Sequence, residues 1–317
     1  MRIGNHISKD GDMMHIAMDR AKIVAQEHHI DLSCAQIFVI GPQSNKETLS
    51  SVEKTELAAR AQAGMKIYAH ASYLSNPWGA KSAFGISLVK RELSICKEMG
   101  FSGLVIHLAR KTPSEIAKTI PQLMGDANNN NNNINNNTIL FLEIESYKPL
   151  TKDPSAIGSA FVECTYETPY KLNELLAAIV KEGVNMKNIG ICIDTAHLWA
   201  AGMDISTYHN MKKWLDEFEK LVEHGLLMDN VIFHLNDQIW TLGGGKDEHA
   251  PLLRGTMWGK FNTSAGNVNT TGTDAPENSG LQAVIEFAAK YNTSLILERK
   301  PVKPIFKDAN GEIINNI

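Results

Sequence analysis

Eight short apolar runs recur along this chain, and six of them end in a side chain that can bind a metal. The runs cover residues 2–7, 35–40, 67–71, 104–108, 138–144, 189–194, 231–235 and 294–297. Each is four to seven residues long and rich in β-branched or aromatic residues, as a buried parallel strand should be. Most are followed by a stretch with helical spacing. Alternation of this kind predicts a parallel sheet, and eight units predict a closed (β/α)8 barrel of the α/β class. The six endings are His70, His107, Glu143, Asp194, His234 and Glu298. In a barrel all of them converge on the C-terminal face of the strands.

The connections fill in the pattern. Asp12 is expected to cap a first helix whose apolar face is Ile16, Ala17, Ala21, Ile23 and Val24. Further helices are expected over 46–63, 80–99 and 112–124. Others are marked by Leu172, Leu175, Leu176, Ile179 and Val180, by Trp214, Phe218, Leu221 and Val222, and over 281–289. Residues 128–137 are nine asparagines and one isoleucine, expected as a disordered bulge. Residues 262–279, rich in Asn, Thr and Gly, are expected as a flexible loop, 300–317 as an irregular tail, and the whole chain as one domain.

At 317 residues and 43% hydrophobic, the chain can bury the core such a barrel needs. Its net charge of −4 gives no overall basic field of the kind that announces a nucleic-acid binder. Bound divalent ions would add positive charge locally. Cys34, Cys96, Cys164 and Cys192 form no C-x-x-C pair and read as free thiols of a reducing compartment. There is no secretory leader pattern and no run of 18 apolar residues, so an intracellular, unsecreted, membrane-free protein is expected.

One stretch shows the chemistry most clearly. Ile189 to Trp199 reads I-G-I-C-I-D-T-A-H-L-W: a strand, Asp194 at its end, then His197 brought back beside it by the first helical turn. Asp247 and His249 follow in a loop on the same face, making nine donors at one mouth. A single His at a strand end is usually a hydrogen-bonded core residue. Carboxylates crowded without partners would each cost several kcal/mol, about, in desolvation and repulsion, and divalent cations relieve that. Nitrogen and oxygen donors without cysteine suit zinc or manganese, and nine donors fit two or three ions with one bridging carboxylate. Such clusters suit in-line displacement at phosphorus.

At this point the chain resembles the endonuclease IV family of abasic-site DNA endonucleases, over nearly its whole length. The motifs are Ile3-Gly-Asn-His-Ile-Ser8, His70-Ala-Ser-Tyr-Leu74, Cys192-Ile-Asp-Thr-Ala-His197 and His234-Leu-Asn-Asp237 with Asp247-x-His249, then Leu295-Ile-Leu-Glu298. The resemblance implies three zinc ions. His70 and His107 hold the first, a glutamate bridges to the second, and Asp194, His234 and Glu298 complete it. His197, Asp247 and His249 hold the third. Leu142-Glu-Ile-Glu-Ser146 offers two bridging candidates on one face; the cost of burying an unpartnered charge favours Glu143 over the alternative Glu145. The implied reaction is hydrolysis 5′ to an abasic site in duplex DNA, leaving a 3′-hydroxyl, by a monomer.

Tyr73 and Leu74 match the positions that family members push into the base stack. Arg110, Lys111 and Lys246, in mouth loops, are candidates for phosphates. The loop 42–46 lacks the family's arginine, and nothing after Glu298 reads as the family's closing helix. Two rivals share the sequence features: a metal-dependent sugar isomerase or epimerase, which would need about two ions, and a zinc-containing damaged-DNA-binding module without catalysis, which would need a broken donor set.

Overall fold

The computed structural model describes residues 1–9, 11–124, 138–146, 165–258 and 278–298. The expectations for 128–137, 262–277, 300–317 and Cys164 fall outside these residues. Within them the barrel closes. Strands β1 (Arg2–His6), β2 (Leu32–Phe38), β3 (Lys66–His70), β4 (Gly103–His107), β5 (Ile139–Glu143), β6 (Ile189–Asp194), β7 (Val231–His234) and β10 (Ser294–Leu297) pair in parallel, in the order β1-β10-β7-β6-β5-β4-β3-β2. A small antiparallel ribbon, β8 (Asp237–Gln238) with β9 (His249–Ala250), stands above β7.

Helices α1 (Met14–Glu27), α2 (Ser51–Gln62), α3 (Ser82–Glu98), α4 (Pro113–Met124), α5 (Pro169–Lys181), the short α6 (Thr195–Ala200), α7 (Tyr208–Glu219) and α8 (Gly280–Tyr291) follow the strands in turn. No described helix is long and apolar enough to cross a membrane.

Two starts differ from the sequence reading. The second helix begins at Ser51, not Lys46. Ser50 and Glu53 form a reciprocal capping box there, and Glu47 is still extended against Ile40. The same Glu53 accepts the Met14 N–H at 2.8 Å, so α2 caps α1. Asp12 makes no cap; its carboxylate pairs with Arg20. The buried face of α1 is also different. Met14, Ala17 and Met18 are buried, with Ala21 packed on the core, while Ile16, Ile23 and Val24 are exposed. Positions 14, 17, 18 and 21 have the i, i+3, i+4, i+7 spacing of one helix face, and two of them are methionines.

Val180 and Val222, counted on apolar faces, are exposed as well. The second strand runs from Leu32 to Phe38, earlier than expected, which changes what stands at its mouth.

The inside of the barrel holds an apolar layer of Cys34, Tyr68, Val105, Phe141, Cys192, Ile232 and Ile296. Gly4 completes it from β1, and no larger residue fits there: a Cβ would lie 2.1 Å from the Cys34 carbonyl oxygen. This layer plugs the barrel below the mouth.

Candidate metal centre

Side chains on a strand return to the same face every second residue. Two residues above the apolar layer therefore comes a second inward layer, one residue per strand: His6, Gln36, His70, His107, Glu143, Asp194, His234 and Glu298. Register places His107 opposite Glu143 and Asp194 opposite His234. Parallel pairing with the period of two is enough to bring the six expected strand-end residues together. His6 and Gln36 are the two members that the sequence reading gave no role.

The donors form three overlapping groups. His70 Nε2 and His107 Nε2 lie 3.3 and 3.2 Å from Glu143 Oε2. His234 Nδ1 faces Glu143 Oε1 at 3.1 Å, Glu298 Oε2 at 3.3 Å and Asp194 Oδ2 at 3.7 Å. The third group is Asp194, His197 and His249. Asp247 bridges its two imidazoles, 3.5 Å from His197 Nε2 and 2.9 Å from His249 Nε2. Glu143 belongs to the first and second groups, and Asp194 to the second and third.

Each imidazole is aimed by what its other nitrogen does. Nδ1 of His70, His197 and His249 donates to the carbonyls of Ala71, Ile144 and Glu298, at 2.8, 2.7 and 3.0 Å. That leaves Nε2 turned inward with its lone pair. His107 Nδ1 donates to Glu145 Oε2 at 2.8 Å, so Glu145 orients His107 while Glu143 takes the centre. His234 is reversed: its Nε2 donates to Gln36 Oε1 at 2.9 Å, and Nδ1 faces the carboxylates. The Gln36 amide in turn donates to Glu298 Oε1 at 2.8 Å. Asn236 donates to Asp194 Oδ2 at 2.9 Å and accepts the Glu298 N–H at 3.1 Å.

Asp194 also caps α6, its Oδ1 accepting the His197 N–H at 3.0 Å, which fixes the expected turn. Asp237 carries the ribbon: its buried carboxylate accepts the N–H groups of Gln238, Gly255 and Met257. Gly255 is required there, because a Cβ would lie 2.2 Å from Asp237 Oδ1.

A cation fits these residues. Glu143 Oε2 and His249 Nε2 are buried with no hydrogen-bond partner among the described residues. With Nδ1 committed to carbonyls, the inward Nε2 atoms carry lone pairs that face carboxylate oxygens, an arrangement that repels unless positive charge lies between them. The separations of 3.2 and 3.3 Å match the edge of a tetrahedron of zinc-like bonds, about 3.3 Å. Without an ion, the same negative field draws protons to the ring nitrogens instead. Burial works against charge on His234 and His249, but the facing carboxylates outweigh it and lift both to about 9. Burial also opposes charge on Glu143, yet His107 and His234 hold it well below the usual carboxylate range. Asp194 is raised, because there burial wins. Cys192 lies near Glu143 and His234, but burial pushes its thiol well up, and it belongs to the apolar plug. Cys34 and Cys96 are likewise free and buried.

The rim residues are less constrained. Tyr73 and Leu74 are 58% and 44% exposed. The Tyr73 ring centroid is 6.0 Å from that of His70 and 6.1 Å from that of His107. Arg110 lines a cavity of about 310 Å³ with His70, Tyr73, His107 and Glu145. Lys111 is half-buried and pairs with Glu115 across one helical turn. The Lys246 ammonium lies 3.4 Å from the centroid of the Trp240 ring.

Fold and site together define a (β/α)8 barrel with a clustered donor set at its C-terminal mouth. A sequence profile for a xylose isomerase-like TIM barrel matches residues 28–265. A probable AP endonuclease of African swine fever virus (isolate Tick/Malawi/Lil 20-1/1983) is 30% identical over 267 residues, spanning 84% of this chain and 78% of its own. A probable endonuclease 4 of Halothermothrix orenii is 26% identical over 263 residues, 81% of this chain and 85% of its own. The solved structure of AsfvAP:AG superposes with a TM-score of 0.76 at 27% identity, covering 94% of this chain and 91% of that one. The chain belongs to the xylose isomerase-like TIM barrel family, with the relatives named AP endonuclease and endonuclease 4.

Proposed function

We propose that this chain is a DNA repair endonuclease that holds three zinc ions, with manganese an alternative occupant, and hydrolyses the phosphodiester 5′ to an abasic site in duplex DNA. The product end is a 3′-hydroxyl, and the same site would also serve 3′-blocked ends. The relatives named AP endonuclease support the class of activity. The observation that carries the reading is the overlap of three donor groups through Glu143 and Asp194. A two-ion sugar isomerase would leave the group of Asp194, His197 and His249 without a purpose.

When bound, the ions would supply hydroxide near neutral pH and neutralise the attacking and leaving oxygens. His70, His107 and Glu143 would hold one ion. Glu143, Asp194, His234 and Glu298 would hold a second, and His197, His249 and Asp247 a third. Glu143 would be the catalytic carboxylate of this scheme, because it belongs to two of the donor groups. Glu145, Gln36 and Asn236 orient donors without entering the centre. Tyr73 and Leu74 would enter the gap at the missing base, and Arg110 and Lys246 would meet backbone phosphates. The protein acts as a monomer in this reading.

The test is incubation of zinc-loaded protein with a duplex holding one abasic site, sizing the products with and without prior chelation. Incision 5′ to the site, lost on chelation and restored by zinc, is the expected result. Tight binding without incision would favour a recognition module. Neither, with the metals intact, would point to a sugar substrate.

A further inference from the structure

Beneath the rim stands a carboxylate that this chemistry does not use. Glu92, in the middle of α3, is fully buried. Both of its oxygens are taken by the loop that leaves β3. Oε1 accepts the Ser72 N–H at 2.8 Å, and Oε2 accepts the Ser75 hydroxyl at 2.6 Å. The adjacent cation, Arg91, turns elsewhere: its guanidinium donates to the Asn45 carbonyl at 2.9 Å and lies 3.7 Å from Glu47. A buried carboxylate is costly unless its hydrogen bonds are well made.

The loop is gripped from its other side as well. The Ser72 hydroxyl lies 2.9 Å from the Ser44 carbonyl and 3.1 Å from that of Pro42, and the Tyr73 N–H donates to Pro42 at 2.8 Å. Ser75 N–H closes a tight turn on the Ser72 carbonyl at 2.7 Å. The two residues between these anchored serines are Tyr73 and Leu74, which are exposed. Glu92 therefore fixes both ends of a turn whose tip is aromatic and apolar and whose base is two residues from His70. Close packing adds to this: a Cβ at Gly85 would lie 2.2 Å from the Asn76 carbonyl oxygen, so α3 also meets the outgoing loop just past the turn.

We propose that Glu92 is a positioning residue that holds Tyr73 and Leu74 above the donor cluster, so that preference for an abasic over an intact duplex depends on it. The proposal rests on the nuclease reading.

The experiment measures Kd of the zinc-loaded full chain for two duplexes. One carries an abasic analogue with a cleavage-resistant phosphorothioate on its 5′ side, and the other is the intact equivalent. Glu92→Ala is expected to lose about tenfold of the abasic preference, the worth of one strong charge-assisted hydrogen bond, with zinc content unchanged. Glu92→Gln can accept from the Ser72 N–H and donate to the Ser75 hydroxyl, so it should restore the preference. Ser75→Ala, a milder lesion, should lose part of it. Hydrogen exchange at the amides of 72–75 should speed up in Glu92→Ala, while exchange in the strands does not change. Variants that keep the wild-type preference, or that weaken both duplexes equally, would overturn the proposal. A wild-type chain that binds both duplexes alike would instead overturn the nuclease reading, and this proposal with it.

Discussion

The inward layer of strand ends and the rim two to five residues beyond it are built on different terms. In the layer, each donor stands on a strand whose neighbours fix its height, and each imidazole has its second nitrogen committed. On the rim, Tyr73 and Leu74 are held through their backbone and flanking serines while their side chains stay exposed. The difference separates two duties. Holding several like charges close together requires rigidity and a full set of orienting partners. Meeting a variable surface requires exposed side chains on an anchored turn.

The contrast is tested most sharply at two neighbouring glutamates, Glu143 at the end of β5 and Glu145 two residues beyond it. Glu143→Gln should lower the rate of incision by about a thousandfold or more, because the residue serves two donor groups. Glu145→Gln should cost only about 10- to 100-fold in metal affinity, since it acts through His107. Single-turnover rates and bound zinc, measured on the same samples, separate the two. Equal losses would mean that the roles of Glu143 and Glu145 are shared.

Glu92 sharpens the contrast through pH. Burial lifts its carboxyl to about 7, above the usual value of 4.5. A raised carboxyl adds no penalty below its unfolded pKa, and stability is lost as pH rises through 4.5 toward and past 7. Glu92→Gln cannot ionise, so its stability should match the wild type near pH 4.5 and exceed it by roughly 3 kcal/mol above pH 8. Denaturant unfolding at both pH values measures the difference. A constant offset would contradict the assignment.

Rim changes should be smaller and should leave the metals alone. Replacing Tyr73 and Leu74 together with alanine should weaken abasic-duplex binding by about 10- to 100-fold at unchanged zinc content. Lys246→Ala should weaken binding only a few-fold and reduce the slope of log Kd against log salt by about one. Loss of zinc from either variant would mean that rim and layer are one unit.

The same contrast governs what could be read from the sequence. Strand ends that terminate in His, Glu or Asp stand out, because so many buried charges need a reason; six of the eight inward residues were visible on that ground. Gln36 escapes such a reading because the apolar run 35–40 extends past the end of β2 at Phe38, so Gln36 falls near the start of the run and not at its end. His6 was seen without a role, because its contacts to Gln36 and Glu298 join residues 30 and nearly 300 positions away. The α1 face is ambiguous because two apolar stripes run along that helix, and only packing against the core shows which is buried. Local pattern cannot carry a decision made by a distant partner. Nor could it reveal Glu92, which reads as one more charged residue in a long helix.

The proposed zinc cluster requires the inward layer and its loop partners to hold three ions. Anomalous diffraction at the zinc edge, from crystals of the zinc-loaded protein, tests it most directly. Three peaks are expected: one among His70, His107 and Glu143, one among Glu143, Asp194, His234 and Glu298, and one beside His197, Asp247 and His249. One or two peaks, or a peak away from Glu143, would contradict it.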